Sequence, residues 1–411
     1  MHKDFIKILP PPFTPSLYGK PLKTNRLCLF PNFAANNNTL KKQYIAALLL
    51  LVGIVAKAQI NIPFPLAKAP ENGTKDTLII TGYVDGYFNF DPFNPHSSKR
   101  PYAVSSARLR QFAINVAYLG IGYRSERVRL QLTPGYGTYM IDNYGSENVL
   151  NRFLLETYGG FKLCKNKNMW LDVGVFTSPY TYETPISKDQ LLYSRSLAAE
   201  NAPYYVSGLR LTMPLSPKFT LTLYGLNGWQ TINFNSASAR SVAFGSQLQY
   251  KIKPNLSLFW NTFAGDAGSP DQQWLAARYF NDFFLTWQKG KWDVNATAYI
   301  GAQGVYNSLK PEYVWYSVNA AARYKFNDKF SLSGRLEYFN DANGVLSAPN
   351  QLQARPFETY SGTLGFNYSP VKNVLLRIEG RGYGGRNGIY TRSNLPVNYS
   401  SILFSSLAVW F

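Results

Sequence analysis

The chain has 411 residues, with 42 Lys+Arg against 23 Asp+Glu, 27 Phe, 30 Tyr, 8 Trp, 31 Gly, 2 Cys and 2 His. A 16% aromatic share excludes a disordered chain, and a 16% charged share is low for a soluble enzyme. Mean hydropathy of −0.20 excludes a bundle of apolar membrane helices, and two histidines leave no material for a histidine metal site or a Ser-His-Asp triad.

From the N-terminus, residues 1–39 carry Pro10-Pro11-Pro12 and Asn36-Asn37-Asn38 without any structural period. They read as a non-native extension ahead of a true start near Leu40. Lys41-Lys42, the apolar run Ile45–Val55 and Ala56-Lys57-Ala58 then form a basic n-region, a core and an A-x-A site. Residues 40–58 are therefore expected to be a signal peptide cleaved after Ala58. The core is shorter than the ~20 residues of a spanning helix, and a retained anchor is the rival reading. Loss of 1–58 removes 8 basic and 1 acidic residues, leaving 34 Lys+Arg against 22 Asp+Glu, about +12. Cys164 then stands alone, too little for a disulfide framework. Residues 59–76 read as a short periplasmic segment.

From residue 77 to 411, segments of about ten residues alternate apolar and polar positions, the period of a strand. Lys218-Phe219-Thr220-Leu221-Thr222-Leu223 and Ser331-Leu332-Ser333-Gly334-Arg335-Leu336-Glu337-Tyr338 are examples. The pattern predicts strands near 78–89, 108–123, 127–140, 153–163, 169–177, 204–214, 218–229, 241–252, 255–265, 277–288, 291–305, 315–326, 329–340, 357–368, 373–385 and 400–411, about 16 within a range of 14–18. An open sheet of that width would leave raw edges, and closure into a barrel removes them. The expected fold is all-β, a closed antiparallel transmembrane β-barrel.

Connections alternate short and long along the whole segment. Arg124-Ser125-Glu126, Leu215-Ser216-Pro217, Lys253-Pro254, Lys289-Gly290 and Asn327-Asp328 are turn-like. The intervening stretches, 178–203 the longest of them, are loops. Brief periplasmic turns and long outside loops are the asymmetry of outer-membrane barrels. Aromatics sit beside turn after turn: Trp170, Phe219, Trp287, Trp292, Phe326, Phe330 and Tyr368, as an interfacial girdle requires. The chain ends on Leu407-Ala408-Val409-Trp410-Phe411, similar to the signal read by the outer-membrane assembly machinery.

Four stretches carry a family resemblance: Gly82-Tyr83-Val84-Asp85-Gly86-Tyr87, Trp170-Leu171-Asp172-Val173-Gly174-Val175-Phe176, Tyr193 through Tyr205 and Leu226-Asn227-Gly228-Trp229-Gln230. They resemble the OmpL-like β-barrel porins common in Bacteroidota, over about 77–411. That resemblance implies a porin-like barrel in the outer membrane of a Gram-negative bacterium, and no particular solute.

A charge facing lipid at mid-membrane costs ~2–4 kcal/mol, so strand charges are expected to face the lumen. Parity then turns inward Asp85, Arg110, Arg129, Glu156, Asp172, Arg210, Lys251, Asp282, Asp293, Arg323, Lys325, Arg335, Glu337, Arg377, Glu379 and Arg381, and outward Val128, Leu130, Leu132, Leu209, Leu211 and Met213. Nine basic against seven acidic inward positions predict a mildly anion-preferring channel. The bland alternative is that these charges pair across strands and only make the wall wettable. Loop 178–203 is expected to fold inward and place Tyr193, Arg195, Glu200 and Asn201 at a constriction; the alternative is that Ser196–Ala199 is a helical turn that merely packs.

Gly380-Arg381-Gly382-Tyr383-Gly384-Gly385 matches G-x-G-x-x-G on a strand with no following helix, so nucleotide binding is not expected and the glycines more simply relieve crowding. Asp266 and Asp271 lack calcium-loop spacing, and His96 beside Asp91 reads as a solvated loop residue. Dispersed basic residues do not point to nucleic acid; they suit lipopolysaccharide or an anionic solute. The expected function is passive diffusion of small polar solutes, with no catalytic set, metal or cofactor, and with lipid, lipopolysaccharide, the assembly machinery and further copies of the chain as partners. A closed barrel with a structural, adhesion or surface-binding role is the alternative.

Overall fold

The computed structural model describes residues 76–93, 97–100, 102–233, 242–266, 277–304, 310–347, 356–393 and 395–411. The extension 1–39, the signal 40–58, the segment 59–75, His96 and Asp271 lie outside the described residues.

Eighteen strands run in chain order: β1 (Thr77–Phe90), β2 (Phe112–Arg124), β3 (Val128–Tyr136), β4 (Leu154–Lys162), β5 (Trp170–Thr177), β6 (Tyr205–Pro214), β7 (Phe219–Leu226), β8 (Ala243–Lys253), β9 (Leu256–Asp266), β10 (Ala277–Lys289), β11 (Trp292–Gln303), β12 (Tyr313–Lys325), β13 (Phe330–Asp341), β14 (Phe357–Tyr368), β15 (Val374–Gly385), β16 (Tyr390–Arg392), β17 (Leu395–Val397) and β18 (Tyr399–Trp410). Sixteen of them close into one antiparallel barrel, each pairing with its neighbours in sequence, while β16 and β17 form a separate hairpin within the last loop.

The seam is β1 against β18, with Tyr83 opposite Trp410. Gly82 and Phe411 exchange backbone hydrogen bonds of 3.2 and 3.0 Å. A Cβ on Gly82 would stand 2.1 Å from the Phe411 ring, so any larger residue there must push that ring aside.

Alternation decides which way each side chain points. Leu336, midway along β13, is 75% exposed, whereas its neighbours Arg335 and Glu337 are 2% and 6% exposed. A soluble protein would reverse that order; here the greasy face is outside and the charged face inside. Val128, Leu130, Leu132 and Leu209 are likewise exposed. On the turn side of the outer face Phe219 stacks on Tyr250 at 4.5 Å, Trp292 packs against Tyr324 at 4.9 Å and Phe330 stacks on Tyr368 at 4.7 Å.

Three expectations need correction. The second strand begins at Phe112, not 108: Arg100 N–H donates to Ala107 O and Leu109 N–H to Ser98 O, so residues 98–109 bond among themselves. Arg110 therefore sits on an exposed bend with φ 58°, outside the wall it was assigned to. The third strand stops at Tyr136. Gly137, at φ 130°, turns the chain into α1 (Thr138–Asn143), and a Cβ there would meet Asn115 O at 2.3 Å. Trp170 is buried rather than lipid-facing, since it shares the inward parity of Asp172 and lies under the Arg129 guanidinium at 4.5 Å.

Candidate functional site: a loop anchored across the lumen

The loop between β5 and β6, residues 178–204, is the centre of the interior. Its residues 190–200 are all buried. In the closed ring β5 and β13 are eight strands apart by either route, so β13 is the wall opposite the loop's origin. The loop reaches that wall and is held there by charged side chains.

On β13, Arg335 donates to Ser194 O at 2.7 Å, Ser194 Oγ at 3.1 Å, Arg195 O at 3.2 Å and Glu183 Oε1 at 3.2 Å. Two residues on, Glu337 accepts from Leu197 N–H at 2.6 Å, Arg335 Nε at 3.1 Å and Arg381 at 2.6 Å. On β15, Arg377 donates to the carbonyls of Ser187 and Gln190, both at 2.7 Å. Arg381 donates to Arg195 O at 2.8 Å, and Glu379 accepts from Tyr193 N–H at 2.7 Å and from the Ser194 hydroxyl. A loop has no ladder of its own, so its peptide groups must find partners elsewhere. Here strand side chains of one inward stripe supply them, and charge-assisted bonds in a buried setting are the strong kind.

Other walls hold the loop's entrance. Asp282 on β10 accepts from Thr181 N–H at 2.8 Å, and the Tyr182 hydroxyl donates to Asn319 on β12 at 2.8 Å. Ser196 Oγ accepts from Ala199 N–H at 3.1 Å and caps α2 (Leu197–Glu200), so the helical turn of the alternative reading is present and buried.

The four residues assigned to a constriction have different surroundings. Tyr193 is buried with its ring 6.2 Å from both Tyr87 and Phe404. Arg195 is buried with its guanidinium 5.1 Å over Tyr204 and 5.9 Å over Tyr139. Burial opposes its charge, and Tyr139, Glu183, Tyr204 and Glu200 outweigh that, raising its pKa. Glu200 accepts from the backbone N–H groups of Val104 and Ser105 in the first loop, at 2.9 and 3.2 Å. Asn201 donates to Leu197 O at 2.8 Å, a bond local to α2.

Away from the loop, inward charges pair along the wall. Asp172 on β5 is shared by Arg129 on β3, at 2.5 Å, and Arg210 on β6, at 3.0 Å. Asp293 on β11 is shared by Arg323 and Lys325 on β12, at 2.7 and 2.9 Å. Asp85 accepts from Asn115 at 3.1 Å, and Glu156 is buried on β4. Lys251, near the end of β8, is exposed. Glu183, Ser187 and Ser194, which receive the arginines of the far wall, were not singled out from the sequence. Among the described residues no group of three or more His, Cys, Asp or Glu side chains could hold a metal ion.

A closed sixteen-stranded barrel, apolar outside and charged inside, with its longest loop drawn into the bore, is an outer-membrane barrel of the porin type. The chain belongs to the family described as Putative beta-barrel porin-2, OmpL-like, which matches residues 77–411. No curated protein matches it. Among solved structures it is similar to a trimer form of in-vitro folded OmpT from Vibrio cholerae, with 11% identity, TM-score 0.54 and coverage of 82% of this chain and 99% of that one. It is also similar to an anion-selective porin from Comamonas acidovorans, with 9% identity, TM-score 0.56 and coverage of 82% and 100%. OprB of Pseudomonas putida is a third, with 8% identity, TM-score 0.51 and coverage of 82% and 94%. At these identities the likeness concerns the fold.

Proposed function

We propose that the protein is a passive channel for small polar solutes, narrowed by loop 178–204 and mildly preferring anions. The observation that supports this reading is the anchoring of the loop on β13 and β15, strands remote from the one it leaves. Six of the seven cations named on the walls beside Asp172 and Asp293 and at the far anchor are arginines, which stay charged at any working pH; Arg129, Arg210 and Arg323 outnumber the carboxylates they share. The Comamonas acidovorans porin, described as anion-selective, shares this architecture. Self-association in the membrane fits the same reading, since a matched OmpT structure is described as a trimer form. Nothing in the reading calls for a catalytic step.

Planar-bilayer recording of the mature chain tests it. The expected result is a defined unit conductance with a reversal potential on the anion side, and a larger conductance after deletion of 186–199. Clear cation selectivity or an unchanged conductance in the deletion would refute the respective claim. The burial of residues 190–200 favours a second reading, a barrel closed at rest that serves a surface-binding role. Liposomes that swell in small sugars would exclude closure; liposomes that never swell would favour it.

A further inference from the structure

The positive charge of this chain is unevenly placed. Seven short turns join the barrel strands at one end, and six of them hold a lysine or arginine; the seventh, Pro254-Asn255, follows Lys253. Glu126 and Asp328 are the acidic residues of all seven. Lys165, Lys167, Lys218, Lys289, Lys291 and Lys329 are exposed, and among the described residues no carboxylate lies within ion-pair distance of any of them. The loop end differs: Lys99 and Arg108 share Asp142, Arg100 faces Glu200 and Arg386 meets Glu358. Among the described residues, exposed lysines without a carboxylate partner therefore gather around the turns.

These lysines also stand at a defined depth. Lys218 adjoins Phe219, Lys289 and Lys291 flank Trp292, and Lys329 adjoins Phe330, aromatics of the outer face. Lys289 has the strand parity of Trp287 and of the exposed Phe283, so it leaves the wall on the lipid side, not into the bore. Aromatic rings with a polar edge settle at headgroup level, and lysine stems lie along apolar surface while the ammonium reaches toward the polar layer. The layer that an ammonium meets there is the phosphate of the phospholipid headgroups.

We propose that this basic ring is a docking surface for anionic phospholipid of the leaflet at the turn end, the periplasmic one in the orientation adopted above. The inference rests on that orientation and not on the protein conducting. Each lysine near an anionic surface adds roughly fivefold to local lipid enrichment at moderate salt, and screening removes the effect. The ring anchors the barrel's height in the membrane and fixes which lipid surrounds its turns.

The test is native mass spectrometry of the folded mature chain, released from detergent containing equal phosphatidylglycerol and phosphatidylcholine. The wild type is expected to retain phosphatidylglycerol several-fold over phosphatidylcholine. The variant K165Q/K167Q/K218Q/K289Q/K329Q, checked for a heat-modifiable folded band, is expected to lose that preference, as is the wild type in 1 M salt by about the Debye screening at 3 Å. The loop-end control K99Q/R386Q/R392Q is expected to keep it. Equal retention of both lipids by the wild type overturns the proposal, as does a preference that survives in the turn variant or vanishes in the loop control. Capture of soluble acidic cell-wall fragments at the same lysines in place of lipid would also overturn it. Bilayer conductance is independent of every arm, so a failed channel reading and a failed lipid reading are distinguishable.

Discussion

Replacing Arg335 by Met keeps the length of the side chain and removes its charge and its donors. Four of the bonds it makes run to the loop, at 2.7, 3.1, 3.2 and 3.2 Å, and a fifth to Glu337 at 3.1 Å. The side chains of Arg335 and Glu337 are fully buried and that of Glu183 is 2% exposed, so the variant leaves two carboxylates short of a cation. Removing one partner of such a buried pair costs about 3–5 kcal/mol. All of that falls on the docked loop, because the undocked loop is hydrated. The ratio of undocked to docked loop should therefore rise by roughly two to four powers of ten. Arg377, Arg381 and Glu379 still hold the loop, so R335M is expected to flicker between the wild-type level and a larger one, and R335M/R381M to stay mostly at the larger. Single-channel recording reads this directly, with heat-modifiable mobility confirming the barrel. A folded R335M with wild-type unit conductance and noise would refute the idea that this arginine fastens the loop.

Three further outcomes follow from the same geometry. D172N removes the carboxylate shared by Arg129 and Arg210 and should move the reversal potential further toward anions; a move toward cations would sink the proposed selectivity. Asp189, in the loop, has its carboxyl pKa raised by burial, against the lowering effect of Lys188 and Arg377. A carboxyl whose folded pKa is raised stabilises the docked loop at low pH and loses that contribution as pH climbs through the raised value. Conductance should thus be smaller and quieter near the ordinary carboxylate range, about pH 4, than at neutrality. D189N should flatten that dependence, and a pH response that persists in D189N would assign it to another group. L336R places a charge on the outer face of β13 and should cost ~2–4 kcal/mol in vesicle refolding by urea titration, whereas a cost near zero would mean that Leu336 does not face lipid.

The barrel was legible because its two solvents impose a two-residue period. Lipid refuses charge, so Arg335 and Glu337 could be turned inward and Leu336 outward without a structure. The same rule turns Trp170 inward, because Asp172 sits two residues away on that face; nearness to a turn is the weaker signal and points the wrong way. Arg110 was misplaced for another reason: alternation continues past the strand's start into residues whose peptide groups bond to one another. The loop's partners had no such rule. Glu183 and Ser194 meet Arg335 across the bore, with no period to carry the match. That segment 178–204 would matter was readable from its length; which carbonyl each arginine would take was not.

The seam between β1 and β18 makes the first strand of the cylinder wait for the last. Until Tyr399–Trp410 arrives, Thr77–Phe90 has one open flank, and no intermediate length of chain offers it the proper mate. A polypeptide that lacks Tyr399–Trp410 keeps two raw margins, which invite pairing with whatever other strand is near. Closure is thereby decided at a single joint, where the ring of Phe411 occupies the vacancy left by Gly82.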